Sequence, residues 1–186
     1  MTLQTPPPVT LDGDLVAFGR RGLSALRTAL SHEAADAIAP AFQEAGFAAG
    51  DQVYDLFRRW ARTWTGVDDP GQLDASALGE CLGAFFEGLG WGPLATAPEG
   101  SAGLTLTSPS WAEAQDGGSD MPTCFFSSGM LASVLGHLAD RDVAVMEVEC
   151  RSRGDAHCRF VAGSPDALTR AYEAMTTGGS WKQALR

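Results

Sequence analysis

Residues 147–158 read EVECRSRGDAHC, and this run indicates how the C-terminal half of the chain folds. A glycine followed by an aspartate, between Cys150 and Cys158, is typical of a tight turn. Such a turn lets both sulfur atoms approach one point, and Cys124 supplies a third thiol from an earlier segment. Three thiolates and one carboxylate oxygen suit a four-coordinate zinc ion. The run therefore indicates a hairpin with a candidate metal site at its turn.

The spacing alone leaves two questions open. The thiols can bind a metal, or they can be ordinary buried cysteines, because free cysteine is among the most buried residue types and no CxxC pair is present. The oxygen ligand can be Glu147 or Glu149. On a flat strand Glu147 and Cys150 face opposite ways, so both reach one ion only if the strand bulges or ends near Glu149.

Other segments add to this pattern. The chain contains SWAEA at 110–114, CFFSSG at 124–129, VMEVEC at 145–150 and GDAHCRF at 154–160. Together these segments resemble the 4-vinyl reductase domain family, which includes hydrocarbon-binding proteins and is related to the sensor domain of phenol- and xylene-responsive transcription activators. The resemblance extends over about residues 104–164.

The resemblance implies a ligand set for the metal. The family binds Zn²⁺ through a cysteine, a Glu-x-x-Cys pair and a further cysteine, and these fall on Cys124, Glu147, Cys150 and Cys158. The family pattern thus favours Glu147 over Glu149. Because a zinc ion closed by four protein ligands is structural, we expect it to fasten the helix that begins near Cys124 to the hairpin.

Composition and charge narrow the class of protein. The length of 186 residues is typical of one domain with a substantial core. The net charge of −10 argues against nucleic-acid and anionic membrane surfaces, because both require clustered Lys and Arg. No apolar run is long enough to span a bilayer, and the N-terminus lacks the pattern of a signal peptide. We therefore expect a cytoplasmic protein whose thiols stay reduced.

The spacing of apolar residues changes along the chain. It is first typical of helices, and at residues 104–107 apolar and polar residues alternate strictly, as in a half-buried strand. Gly46 is expected to end one helix and Gly50 to precede the next. We predict helices over 14–30, 32–45, 51–64, 74–89 and 124–138 and from 165 onward, and strands over 91–97, 103–108, 142–150 and 157–162.

This order of elements predicts an α+β fold with a helical layer packed on a small antiparallel sheet. The family resemblance implies the same fold, as in NO-sensing and Golgi-transport ligand-binding domains. Residues 1–12, with three consecutive prolines, are predicted to form a flexible tail. Residues 13–186 are predicted to form a single domain.

Large apolar side chains from several predicted elements are candidates to line a ligand pocket, since such pockets are mostly apolar. Trp111 is the most informative of them, because a buried indole N–H needs a partner. The alternative for each residue is that it fills the core. The candidate pocket residues are Phe85, Phe86, Trp91, Leu106, Trp111, Phe126 and Val134.

Three functions follow as hypotheses. The first is a zinc-stapled domain that binds or senses a small apolar or aromatic ligand and acts through an unknown protein partner. An enzyme is not expected, because no nucleotide-binding motif indicates a hydride source. The second is an accessory carrier or reductase in tetrapyrrole or bacteriochlorophyll synthesis. The third is a structural dimerisation scaffold, in which Gly19 and Gly22 allow close packing in a homodimer.

Overall fold

The structure, a computed structural model, describes residues 5–11, 13, 15–33, 35–100 and 103–185. Its helices and strands follow in the order α1 (Arg20–Glu33), α2 (Ala35–Thr65), α3 (Ala75–Gly88), β1 (Ala95–Glu99), β2 (Gly103–Ser108), α4 (Phe125–Ala139), β3 (Ala144–Glu149), β4 (Cys158–Gly163), α5 (Pro165–Thr176) and α6 (Trp181–Ala184).

The four strands form one antiparallel sheet in the order β1-β2-β4-β3. Side chains alternate between its faces, so that Phe160 joins the main core with α2, α3 and α4, whereas the next residue, Val161, packs with α5 and α6. The fold is α+β, with a helical layer packed on a small antiparallel sheet, as the change of hydrophobic period predicted.

Capping residues explain where two helices begin. The Asp74 carboxylate accepts hydrogen bonds from the N–H groups of Ser76 and Ala77 at 3.0 and 2.9 Å, and α3 starts at the next residue. The Ser164 hydroxyl accepts from the N–H of Ala167 at 3.3 Å, with proline at the first helical position. The predicted helix start at residue 165 is confirmed.

The prediction that Gly46 and Gly50 separate two helices is wrong, because α2 continues through both. A Cβ atom at Gly46 would lie 2.0 Å from the carbonyl oxygen of Phe126, and one at Gly50 would lie 2.3 Å from Cβ of Ser133. On the facing helix, a Cβ atom at Gly129 would lie 1.9 Å from the carbonyl oxygen of Gln43. These glycines therefore let the backbones of α2 and α4 approach closely.

The N-terminal segment contacts the core before α1 begins. The Trp60 indole N–H donates to the carbonyl oxygen of Pro7 at 2.9 Å, and Val9 packs partly buried against the main core. Mobility of the predicted tail stays a prediction, and residues 1–4 and 12 lie outside the described residues. Helix α1 begins at Arg20 rather than at residue 14, which is itself outside the described residues. Within the described part of the chain, no helix is both long and apolar enough to cross a membrane.

Candidate functional site

The four residues implied as metal ligands come together in the structure. One ligand atom from each of Cys124, Glu147, Cys150 and Cys158 lies within 4.8 Å of the others, and all four residues are buried. We call these four candidate ligand residues the metal cluster. The sulfur atoms of Cys124 and Cys150 are 3.9 Å apart, too far for a disulfide bond. Tetrahedral zinc with Zn–S bonds of about 2.3 Å would place two sulfurs about 3.8 Å apart.

The turn between the two hairpin strands positions Cys150 through its backbone. The carbonyl oxygen of Cys150 accepts from the N–H groups of Arg153 and Asp155 at 2.9 and 3.2 Å. The Asp155 carboxylate in turn accepts from the N–H of Cys150 at 2.7 Å. Gly154 completes the turn with φ of 95°, a left-handed conformation that favours glycine. The turn is thus closed by its own hydrogen bonds, and it returns the chain to Cys158.

A shift in strand register brings the Glu147 carboxylate to the metal cluster. The pairing of β3 with β4 shifts register between Glu147 and Glu149, which allows Glu147 and Cys150 to face the same point. Glu149 instead accepts from Arg159 Nε at 2.7 Å and pairs with His157, outside the metal cluster. The carboxylate that lies in the cluster is therefore that of Glu147.

The two oxygens of Glu147 have different surroundings. Oε2 accepts from the backbone N–H of Cys124 at 2.9 Å. Oε1 is buried, and among the described residues it has no hydrogen-bond partner. A buried carboxylate oxygen without a partner is costly, and a bound cation beside the three sulfurs would satisfy it. Hard cations such as Mg²⁺ prefer oxygen ligands, whereas three thiolates favour zinc. The residues present fit zinc.

The pKa shifts in the metal cluster also favour a bound cation. Burial, followed by the negative charge of Cys150, raises the pKa of Glu147 to about 8. Burial also raises the pKa of the Cys124 thiol, while hydrogen bonds from Cys124 and Cys158 hold the pKa of the Cys150 thiol well below its usual range. The cluster cannot ionise fully without positive charge, so a bound cation would favour the anionic form of all four ligands.

Glu113 is a buried carboxylate that the sequence analysis did not single out, although it lies within the SWAEA segment. It is 3% exposed, and its oxygens accept from the N–H groups of Phe126 and Ser127 at 3.1 and 2.7 Å. The Ser127 hydroxyl accepts from the indole N–H of Trp111 at 2.7 Å. Burial raises the pKa of Glu113 to about 7. Glu113 thus caps the first turn of α4, next to Cys124.

An apolar cavity of about 590 Å³ lies on the outer side of this turn, between α1, α2 and the first turns of α4. We call it the apolar cavity. Most of its lining is aliphatic, and four aromatic residues, Phe18, Phe42, Trp91 and Phe126, also contribute. The remaining lining residues are Leu11, Leu15, Val16, Ala17, Arg20, Leu23, Leu26, Leu30, Ala41, Ala45, Ala49, Val53, Leu89, Gly90, Ala112 and Met130.

The lining of this cavity differs from the predicted set of pocket residues. Of the seven candidate pocket residues, Trp91 and Phe126 line it, and the other five are 0% exposed within the main core: Phe85, Phe86, Leu106, Trp111 and Val134. The space between α3, α4 and the sheet is filled because aromatic rings meet there. The ring centroid of Trp111 lies 5.6 Å from that of Phe86 and 5.8 Å from that of Phe160.

Trp91 joins the apolar cavity to this aromatic core. Its ring stacks on Phe126 at 6.1 Å and lies 5.5 Å from Trp111. Its carbonyl oxygen accepts from the N–H of Ala112 at 2.8 Å. Trp111 does not line the cavity but packs against Trp91, which does. The indole N–H of Trp111 donates to the Ser127 hydroxyl, so it has the partner that burial requires.

Arginine side chains hold α1 over the cavity. The Arg27 guanidinium donates to the carbonyl oxygens of Thr123 and Glu113 at 3.2 and 3.4 Å, beside the start of α4. Arg20 donates to the carbonyl oxygen of Gly90 at 3.0 Å. The closure of the cavity by α1 thus depends on a few polar contacts rather than on deep packing.

Comparison with solved structures identifies the fold. The phenol-responsive sensory domain of the transcription activator PoxR, solved with phenol, is 17% identical with a TM-score of 0.62, and the alignment covers 81% of this chain and 76% of that one. A trafficking protein particle complex subunit 3 from Naegleria fowleri, covalently bound to palmitic acid, is 15% identical with a TM-score of 0.58, over 77% and 91% of the two chains.

A family model matches the sequence of the site. The model of the 4-vinyl reductase domain matches residues 110–164, which include Trp111, Glu113 and the whole metal cluster. The resemblance to this domain that the motifs predicted is therefore confirmed over residues 110–164. A vinyl-4-reductase family protein from Methanocaldococcus jannaschii aligns at 21% identity and a TM-score of 0.38, over 59% of this chain and 66% of that one. Among curated proteins, no sequence matches this chain significantly.

Proposed function

We propose that this chain is a sensor or binding domain of the 4-vinyl reductase type, whose small apolar ligand occupies the apolar cavity. The observation that carries the proposal is the cavity itself, about 590 Å³ and bordered almost entirely by aliphatic and aromatic side chains. This volume lies in the range of about 300–1,000 Å³ that is typical of small-molecule sites. Two proteins of the same fold were solved with phenol and with palmitic acid, respectively.

The second part of the proposal is that zinc, held by the metal cluster, fastens the start of α4 to the hairpin of β3 and β4. Support comes from the spacing of the sulfurs, from the burial of all four candidate ligands and from Oε1 of Glu147, which has no hydrogen-bond partner in the described part of the chain. Four protein ligands leave no open position, which is the arrangement of a structural zinc rather than a catalytic one.

The two parts meet at the first turn of α4. Cys124 is the N-cap of α4, and Phe126, two residues later, lines the apolar cavity. A ligand that contacts Phe126 would therefore contact the first turn of α4, which zinc and Glu113 hold in place. In this proposal the response passes to α1, whose Arg27 contacts the same region, and from there to an unknown protein partner.

Native mass spectrometry of protein purified without chelators tests the metal, with one zinc ion per chain expected. For the cavity, binding of decanol is measured by tryptophan fluorescence, to which Trp91 contributes, and by calorimetry. Ala49→Phe should weaken binding, because Ala49 lines the cavity and the new ring occupies it. The matched control is Ala48→Phe, one residue away in α2 and exposed, which should bind as wild type does. Equal affinities of the two variants would contradict the proposed site.

A dimerisation scaffold is a second candidate, and exposed apolar side chains favour it. Val16, Phe18 and Leu26 are 88%, 67% and 46% exposed, and all three border the apolar cavity. Apolar residues grouped at a surface often mark an interface. Light scattering tests this candidate: a stable dimer that dissociates on Phe18→Ser, together with no binding of decanol, would favour the scaffold over the sensor.

A further inference from the structure

We infer that the ligand of the apolar cavity is a fatty carboxylate whose carboxylate group is bound by Arg20. This inference rests on the proposed function and adds the chemical class of the ligand. Among the described residues that line the cavity, Arg20 carries the only formal charge. An apolar chain inside the cavity would therefore meet one cationic group at its border.

The guanidinium of Arg20 has donors available for a ligand. One nitrogen donates to the carbonyl oxygen of Gly90 at 3.0 Å, whereas a guanidinium carries five N–H donors in a planar arrangement that matches a carboxylate. No carboxylate in the described part of the chain forms an ion pair with Arg20. Gly90 and Trp91 also line the cavity, so the contact with Gly90 holds the guanidinium at the cavity border.

The size and lining of the cavity indicate the rest of the ligand. Benzene fits a cavity of about 150 Å³, and the apolar cavity is roughly four times larger at about 590 Å³. Leucine, alanine, valine and methionine side chains make up most of the lining. A flexible alkyl chain can follow such a surface along α1 and α2, whereas a single aromatic ring would leave most of it unfilled.

The charge of the whole protein makes the inference testable. The net charge of −10 disfavours the approach of any anion. A preference for a carboxylate over an alcohol of the same chain length then indicates local positive charge, and substitution of Arg20 tests whether the guanidinium supplies it. Because Arg20 is largely exposed, the contribution of the ion pair is modest and sensitive to salt.

The experiment compares decanoate with decanol on wild type, Arg20→Gln, Arg20→Lys and Arg21→Gln, by calorimetry at low and high salt. Arg21 is the matched control, because it is the exposed neighbour with the same charge and does not line the cavity. We expect wild type and Arg21→Gln to prefer decanoate by about two- to fivefold. Arg20→Gln should lose this preference, so that its affinity for decanoate falls about two- to fivefold more than its affinity for decanol, and Arg20→Lys should keep part of the preference.

Each other outcome has a defined meaning. If both ligands bind and Arg20→Gln changes the two affinities equally, the carboxylate inference is wrong and the proposed function stands. If a rigid naphthoate binds more tightly than decanoate, the fatty chain is the wrong class. If neither decanoate nor decanol binds wild type, the proposed function itself fails.

Discussion

The metal cluster and the apolar cavity lie on either side of the first turn of α4, and their surroundings differ sharply. Every ligand of the cluster is buried, and backbone hydrogen bonds hold the turn between Cys150 and Cys158. The cavity, by contrast, is bordered by Val16 and Phe18, which are 88% and 67% exposed. The metal cluster is held by many mutually supporting contacts, whereas the apolar cavity is closed by α1 and the segment before it, with few polar contacts. Ligand-binding regions commonly lie in parts of a fold that have low local stability.

The largest effect should come from removing a metal ligand. We expect Cys150→Ser to lose zinc and to lower the free energy of unfolding by about 4 kcal/mol or more, because loss of a structural metal is among the most destabilising changes. Elemental analysis and urea unfolding measure the two effects. The control is Cys81→Ser, equally buried at 0% exposure but outside the cluster, which should keep its zinc. Equal zinc contents in both variants would contradict the assigned site.

The contact between α2 and α4 should be the next most sensitive feature, because it supports both regions. Gly129→Ala places a methyl group 1.9 Å from the carbonyl oxygen of Gln43 and should cost about 3 kcal/mol. Gly136→Ala lies in the same helix, where the nearest atom is 3.4 Å away, and it should be neutral or slightly stabilising. Denaturant unfolding of both variants measures the difference. Similar stabilities would show that the helices can separate without penalty.

Glu113, which lies between the two regions, should make the free energy of unfolding depend on pH. Its pKa is about 7 in the folded chain and 4.5 without burial. The unfolded state therefore releases its proton first as the pH rises, and the stabilisation present below pH 4.5 is lost by about pH 7. We expect the stability difference between wild type and Glu113→Gln to fall by roughly 3 kcal/mol over this range, because the pKa of Glu113 rises from 4.5 to about 7 on folding. Parallel pH profiles, measured by urea unfolding at constant zinc content, would contradict this.

The smallest effect should be on ligand affinity when the metal is removed. If zinc holds the start of α4, its removal by a chelator should loosen Phe126 and weaken decanol binding about tenfold, or about 1.4 kcal/mol. Titration of decanol into zinc-loaded and chelated protein measures this, with circular dichroism to confirm that the chelated protein remains folded. An unchanged affinity in folded, metal-free protein would show that the two regions act independently.

The metal cluster was largely predictable because its residue types are chemically distinctive. Thiols at Cys124, Cys150 and Cys158 have few roles other than metal binding or burial, and Gly154 marks the turn between two of them. The choice between Glu147 and Glu149 was not settled by spacing. The register shift in β3 decides which carboxylate lies in the cluster, and a bulge depends on the pairing of two strands rather than on either strand alone.

The cavity was less predictable, because aromatic residues that fill a core and those that line a cavity have the same local pattern. Trp91 and Trp111 lie 5.5 Å apart, yet only Trp91 reaches the cavity. Gly46 shows the same limitation in the helical layer. A glycine within an apolar helical pattern can end a helix or admit a neighbouring backbone, and only the position of α4 distinguishes these roles.

Local features of the chain were sufficient to predict the α+β order of elements, the helix starts near Asp74 and Ser164, and the three thiols, with Glu147 or Glu149, as candidate metal ligands. These features depend on periodicity, on capping hydrogen bonds and on the chemistry of single side chains. Three others required the packed molecule: that α2 is one helix, that Glu113 caps α4 and that the cavity lies beneath α1. Each of these depends on which distant segments meet, and that is set by the packing of the whole chain.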